Sequence, residues 1–466
     1  MSNAARRIPR LPVHRKALRL RNMTFGFMAI AMWGCGGEGE KPVLLDASQA
    51  DSSGVTVITL STSLNDLSSR PDGMIALAPS WTLGTEGPGF TDVADVTTVG
   101  DTVAVLDRND GAIHLFRPDG QAVKRRIGKK GQGPGELMIP WGMERVGPWF
   151  VVAQGVEGGN TLTMFSAGDG SAVATSPPVA GDWGQYLFRG PNVNLDVPTN
   201  AGIEDWARRL ASFDDSTLAV LVRGTERAGD DGQALVPNTV HLVRIRLPLP
   251  SSVADTFAEL TAPVVRLWIP GAGRRPAVFQ EPLFSARPHW AVGDDWYALA
   301  EGNAPEVRVF RKDGRLLSLI RWPRVIEPIS EQDKLTAAAT TADYSMRSSE
   351  EVRRQLEGMS NAQREEANRL FLPLLSFAEE APQISAIHAA GQCLWMSGFN
   401  PRDFLDGTSL TWVGINVHTG ELFPPVRIPG TDVRVRHFDR NAVYTKEFTG
   451  EDVQTVVRYP LNEASC

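Results

Sequence analysis

Hydrophobic and polar positions alternate along most of this chain in short bursts. Asp101–Asp107 reads DTVAVLD, Ala112–Arg117 reads AIHLFR, and Gln121–Ile127 reads QAVKRRI. Alternation with a period of two is the mark of a half-buried strand, whose side chains point to opposite faces in turn. The bursts are separated by RNDG (Arg108–Gly111) and PDG (Pro118–Gly120). Asp-Gly after an alternating run signals a tight hairpin. These residues predict one antiparallel meander of at least three strands.

The unit recurs. Ile113–Ile127 (IHLFRPDGQAVKRRI) aligns with Val307–Ile320 (VRVFRKDGRLLSLI), sharing the Phe-Arg-x-Asp-Gly turn. Weaker copies stand at Leu162–Thr175 and Val413–Val426, and a further hairpin at Ala442–Tyr459. Two glycine-rich passages also repeat: LGTEGPGF before the first meander, and GKKGQGPGE after it. Their Gly-Pro-Gly cores are Gly87, Pro88, Gly89 and Gly133, Pro134, Gly135, 46 residues apart. A period near 40–50 residues of four-strand units is what a propeller blade gives.

A glycine-rich loop can also cradle phosphate. That use needs a helix N-terminus and ends in Gly-Lys-Ser/Thr. Here Glu136 follows Gly135 and no helical period begins. The two passages therefore read as blade junctions, where glycine supplies positive φ and proline stiffens the corner. The expected blades are 91–131, 136–180, 183–250, 281–325, 381–428 and 431–460. The strand near Met74–Leu83 completes the last of them, which leaves no sheet edge open. Seven blades is the nearest competing count. The fold class is thus all-β: a six-bladed β-propeller of four-stranded antiparallel blades.

One stretch departs from the β pattern. Between 330 and 380 alternation is lost, Ser348 with Glu351 fits a capping box, and Val352, Leu356 and Met359 follow at helical spacing. Ala367, Leu370, Phe371, Leu374 and Leu375 continue it. This predicts a helical insert that caps one mouth of the propeller or covers a blade edge. A partner-docking lid is the alternative.

Charge changes the picture at the amino terminus. Seven of the 47 basic residues fall in 1–34, which holds no acid; the other 40 stand against 54 acidic residues. A body that acidic lacks the basic face that nucleic acid requires. The basic stretch leads into the apolar Met23–Trp33 and then Gly34-Cys35. A cationic segment and a short apolar core make a secretory signal, too short to span a bilayer. The expected organisation is a lipoprotein-type signal peptide at 1–34, a flexible tether at 35–54, and the propeller at 55–466. Cys35 is the expected lipid-attachment residue, and a cleaved, secreted form is the alternative. If Cys35 is modified, only Cys393 and Cys466 remain to pair. The reading favoured here is two unpaired thiols, with Cys393 buried.

The layout resembles the six-bladed β-propeller lipoproteins of bacteria, relatives of the NHL-repeat propellers. The lipobox-like Cys35, the two glycine passages, the Phe-Arg-x-Asp-Gly hairpins and the segment Ala381–Phe399 carry the resemblance. Trp33 departs from the lipobox, where a small residue is usual. Ala389 and Ala390 replace an acidic pair. The resemblance implies an envelope location, periplasmic or at the outer membrane, and no particular ligand.

Catalytic motifs are absent. No two histidines sit at i, i+4 beside a Glu, and there is no Gly-x-Ser-x-Gly elbow. Asp107–Gly111 lacks calcium-loop spacing. No catalytic residue, metal ligand or cofactor is assigned. The expectation is a non-enzymatic, membrane-anchored propeller that binds a peptide, envelope protein or glycan at one mouth. The alternative is a metal-dependent hydrolase or lyase, lactonase-like, holding a divalent metal in the channel. Asp92, Glu144, His289 and His388 lie near plausible inner strands for such a site.

Overall fold

A computed structural model describes residues 46–461 with these exceptions: 70–73, 85–88, 157–158, 177–209, 224–234, 250–253, 268–277, 281–282, 339–359, 401–410, 431–432, 449–452, and, within 361–376, all but 362, 363, 366, 369 and 372. The chain begins with two strands, β1 (Ala47–Ser52) and β2 (Val55–Leu60). A short helix α1 (Leu64–Ser69) follows, then β3 (Ile75–Ala76) and β4 (Trp81–Leu83). Blade 1 is β5 (Val93–Val99), β6 (Thr102–Asp107), β7 (Ala112–Phe116) and β8 (Ala122–Ile127). Blade 2 is β9 (Ile139–Val146), β10 (Trp149–Val156), β11 (Gly159–Ser166) and β12 (Ala172–Thr175). Blade 3 is β13 (Leu210–Asp214), β14 (Thr217–Arg223), β15 (Leu235–Arg246), β16 (Ala254–Leu267) and β17 (Val278–Gln280). Blade 4 is β18 (His289–Val292), β19 (Trp296–Ala300), β20 (Glu306–Arg311) and β21 (Leu316–Arg321). Blade 5 is β22 (Ala386–Ala390), β23 (Cys393–Ser397), β24 (Thr411–Asn416) and β25 (Val426–Arg427). Blade 6 is β26 (Val433–Phe438), β27 (Ala442–Phe448) and β28 (Gln454–Pro460), completed by β4.

The protein is therefore a six-bladed β-propeller of antiparallel blades. Leu83, Thr82 and Trp81 pair with Val456, Val457 and Arg458, so an N-terminal strand fills the outermost place of the C-terminal blade. The segments before it run along the rim. Strand β2 pairs in parallel with β21 outside blade 4, and β3 with β25 outside blade 5. Helix α1 is N-capped by Ser63: the Asp66 amide donates to Ser63 Oγ, and that hydroxyl donates to the Asp66 carboxylate. Its Asn65 bridges to blade 5: the side-chain amide donates to Pro382 O, and its oxygen accepts from the Phe399 amide.

The core is divided among the seams. Six hydrophobic clusters each join one blade to the next. Between blades 1 and 2 lie Leu106, Ile113, Ile127, Met143, Phe150 and Phe165. Between blades 6 and 1 lie Leu83, Val93, Val96, Val105, Tyr444 and Val456. The other four seams are built the same way. A sheet with two apolar faces must bury both, and only a ring lets every blade do so.

The repeated hairpins occupy equivalent places, strands three and four of blades 1, 2, 4 and 5. In blades 1 and 4 the turn is closed by Arg117 N to Gln121 O and by Arg311 N to Arg315 O, both 2.8 Å. In blades 2 and 5 it runs one residue longer, from Ser166 N to Ser171 O and from Asn416 N to Glu421 O. That extra residue is why the sequence copies there are weaker.

Three expectations need correction. Blade 3 does not span 183–250: its first strand is β13, and its sheet continues through β16 and β17. Leu247–Ser251 punctuates the connection between β15 and β16, and a Pro- and Ser-rich turn reads alike at a blade boundary and inside a blade. The tether 35–54 is not wholly a tether, because β1 lies within it and pairs with β2 across Ser53 and Gly54, both at positive φ. Its face is exposed at five of six positions, so its composition mimics a linker. Finally, Cys393 is fully buried but not a free thiol: it is disulfide-bonded.

Within 330–380 the described residues include a helix at 331–338 and helical residues 362, 363, 366 and 369. Their starts are capped by Ser330 with Asp333 and Ser360 with Gln363. Ser348 and Glu351 lie outside the described residues.

Two glycines separate steric need from backbone preference. Gly111 has φ +59°, and a Cβ there would meet Leu137 O at 2.5 Å and Lys130 Cα at 2.6 Å. Gly314 has φ +89° but open space around it. Gly314→Ala is expected to cost about 1–2 kcal/mol, the price of a left-handed backbone alone. Gly111→Ala is expected to cost clearly more, since backbone must move. Denaturant unfolding of both variants checks this, and equal losses would contradict it.

Candidate functional site

Chain direction alternates from strand to strand in a blade. The turns joining strands one to two and three to four therefore lie on one face of the ring. The turns joining two to three, and the ends of the fourth strands, lie on the other; the fifth strand of blade 3, β17, runs back toward the first. On the first face the one-to-two connections are short, such as 100–101, 147–148, 215–216, 391–392 and 439–441. Strands two and four end at the second face, where the longer connections between described strands begin. Loops carried on a rigid scaffold are where binding groups accumulate.

That second face holds a seventh apolar cluster that belongs to no seam. Phe284, Ile329, Ala337, Ala381 and Phe399 are buried together, with Leu283, Phe377 and Ala378 packed against them. They come from the crossover into blade 4, the crossover and helix after it, and the turn after β23. Phe284 meets Phe399 edge-on at 5.9 Å and Phe377 at 6.2 Å. Its φ is +60°. A bulky residue in that region is strained, and it persists only where packing over-determines it. Ala378 N donates to Leu283 O, tying the two crossovers together. The result is a built platform over blades 4 and 5. Ile326, 62% exposed, stands on the same crossover.

At the same end, the innermost strand of blade 1 begins with a charge network. An inner strand has no neighbour on its axial side, so its backbone groups need side-chain partners. Val93 N donates to Gln454 Oε1 at 2.6 Å, and Val93 O accepts from Lys446 Nζ at 3.1 Å. Asp92 takes Arg108 at 2.9 Å and Lys446 at 3.5 Å. Arg108 Nε donates on to Pro140 O at the start of β9. Lys446 is almost fully buried, and two anionic or carbonyl partners offset the desolvation of its ammonium group.

Further along the first strands of blades 1 and 2, two carboxylates lie near enough to influence one another. Asp95 accepts from the Val96 amide with one oxygen and from the Met143 amide with the other. Glu144 accepts from Arg145 N. Glu144 is only half-buried by its accessible surface, yet protein atoms surround its carboxyl closely. Burial, and then the nearby Asp95 charge, push its pKa up to about 8.

The residues singled out in the sequence do not form one centre. Asp92 is held by Arg108 and Lys446, and Glu144 lies by Asp95. His388 sits against the rings of Trp412 and Phe438 at 5.3 Å, and His289 is buried at the start of β18. Among the described residues, no three His, Cys, Asp or Glu side chains are grouped to hold a metal ion. Cys35, Gly87 and Pro88 lie outside the described residues. Gly89 and Gly135 adopt the same left-handed conformation, φ +67° and +74°. In the second passage the amide of Gly133 donates to Glu136 at 2.8 Å, and Lys129 pairs with the same carboxylate at 2.9 Å. Lys129 first, then the Gly133 amide, hold the Glu136 pKa down. The loop thus wraps a carboxylate of its own.

Lys446, Arg108 and Asp95 escaped the sequence reading. The signal for two of them was a charge within a strand pattern, Lys446 in AVYTKEF and Asp95 in VADVTTV, while Arg108 stands in the RNDG turn.

No protein-family model matches the chain, and no curated protein does. Solved structures do resemble it. A member of the DUF4221 family from Bacteroides vulgatus is 10% identical, with a TM-score of 0.41, covering 83% of this chain and 98% of that one. The propeller domain of Cps50 (Swd1) from Myceliophteria thermophila is 10% identical, with a TM-score of 0.36, covering 82% and 99%. A streptogramin B lyase is 7% identical, with a TM-score of 0.36, covering 82% and 97%. Likenesses this distant say nothing about function.

The raised Glu144 pKa gives stability a definite pH dependence. Its ordinary value is 4.5 and its folded value about 8. Between these the native state holds a proton that the unfolded chain releases. The protonated form therefore supports the fold most at low pH, and that support is lost as pH rises through about 8. Glu144→Gln is expected to melt close to the wild type at pH 5 and above it at pH 9. Parallel melting curves across that range would show that the group is not coupled to folding.

Proposed function

We propose that this protein is a lipid-anchored extracytoplasmic propeller that recognises a peptide, envelope protein or glycan on its crossover face, without chemistry of its own. The observation that carries the reading is the asymmetry of the ring among the described residues: short turns such as 100–101 and 147–148 on one face, and the Phe284 platform, built from separate crossovers, on the other. The anchor is supported by the cationic 1–21 segment, the apolar Met23–Trp33 and Cys35 beside Gly34. The acidic body argues against a nucleic-acid partner.

Three measurements test this. Cys35→Ala is expected to move the protein from the membrane fraction to the soluble one; unchanged membrane association removes the anchor. A photoreactive residue at position 326, on the crossover face, is expected to give adducts in the native envelope. The same residue at 314, on the opposite face, is expected to give none. Equal crosslinking from both faces would contradict the assignment. A rise in melting temperature with a divalent cation, reversed by EDTA, would favour the hydrolase or lyase reading, since a ligand bound only by the folded state stabilises it by mass action.

A further inference from the structure

Cys393 opens β23 and has no accessible surface, and its sulfur is in a disulfide. The sequence offers only Cys35 and Cys466 as partners. We infer that the partner is Cys466.

Position and reach carry this. Leu461, just past β28, is buried in the same apolar cluster as Cys393, together with Phe438, Tyr459 and Trp395. Its amide donates to Asn441 O at 2.8 Å, in the turn between β26 and β27. That turn packs on the one preceding Cys393: a Cβ on Gly391 would meet Arg440 Nε at 2.7 Å. Cys466 follows Leu461 by five residues, a reach of about 17 Å. Cys35 precedes Asp46 by eleven, and Asp46 lies at the outermost strand of blade 4, where its carbonyl accepts from Ser61 N. The shorter tether from a point already in the seam has the higher effective concentration.

Bond formation joins the two sulfurs and releases two protons and two electrons. A dithiol–disulfide oxidant takes the electrons: one thiolate attacks its disulfide, and the second displaces the reduced oxidant. The bond belongs to an oxidising compartment, in keeping with the location proposed above. It also leaves Cys35 as the sole thiol free for acylation. The assignment does not depend on that acylation.

Peptide mapping without reductant tests it, on the wild-type protein and on Cys35→Ala. The expected product in both is the Cys393 peptide joined to the C-terminal peptide, two hydrogens lighter than their sum. A link from Cys393 to Cys35, or a Cys393 that alkylates in denaturant without reductant, overturns the inference. A failed anchor leaves this map unchanged, so the two proposals fail separately. Because Cys393 is buried, the stability arm uses Cys466→Ser. This variant is expected to melt several degrees below the wild type, to match the wild type in dithiothreitol, and to be insensitive to dithiothreitol itself. A wild-type melting temperature in that variant counts against the bond.

Discussion

The pairing of β4 with β28 is the constraint on which the rest depends. A blade has no core of its own; its apolar side chains are buried only against the next blade. Six seams therefore exist only if the ring closes, and it closes where three residues of an N-terminal strand meet the last strand of the chain. The seam beside that closure holds Leu83 from the closing strand with Val93 and Val96 of blade 1 and Val456 of blade 6. Closure and burial are thus one event, with the early and late parts of the sequence each incomplete alone. The rim segments extend the same logic. By pairing with blades 4 and 5 before reaching blade 6, residues 47–83 span half the ring from outside.

Local chemistry made much of this readable. Glycine turns with a fixed left-handed backbone must recur wherever the same hairpin recurs, so Gly120 and Gly314 betrayed equivalent places in blades 1 and 4. The spacing of the two Gly-Pro-Gly cores gave the blade period for the same reason. What stayed hidden depends on partners distant in sequence. Strand β1 is polar because its face is solvated, and only its pairing makes it a strand. Blade 3 was misplaced because a proline turn inside a blade carries the same letters as one between blades. Lys446 and Cys393 could not be interpreted at all, since a buried ammonium group is explained by Asp92, 354 residues away, and a disulfide by geometry.

The two faces of the ring have different physical characters. On the short-turn face, aspartates and asparagines bond their own backbone, as Asp119, Asp169, Asp313 and Asn416 do to amides two residues on. Such turns satisfy part of their own backbone, and neighbouring turns pair across blades, as Arg440 does with Asp294 and His418 with Asp295. The crossover face adds an apolar platform, with aromatic rings from separate crossovers packed around a strained Phe284.

The axis connects these observations. Burial makes an unpaired charge expensive, so an ionisable group enclosed by protein must be paired or neutralised. Asp92 is balanced by Arg108 and Lys446, while Glu144 holds a proton into the neutral range rather than ionise beside Asp95. Both solutions spend the chemistry of those side chains on holding neighbouring inner strands together. Arg108 ties blade 1 to the start of β9, Lys446 ties blade 6 to blade 1, and Asp95 ties β5 to β9. Groups committed to that task are poorly placed to turn toward a ligand without loosening the ring. Recognition on this scaffold is therefore better served by the crossover face, where side chains can change without touching the seams that closure depends on.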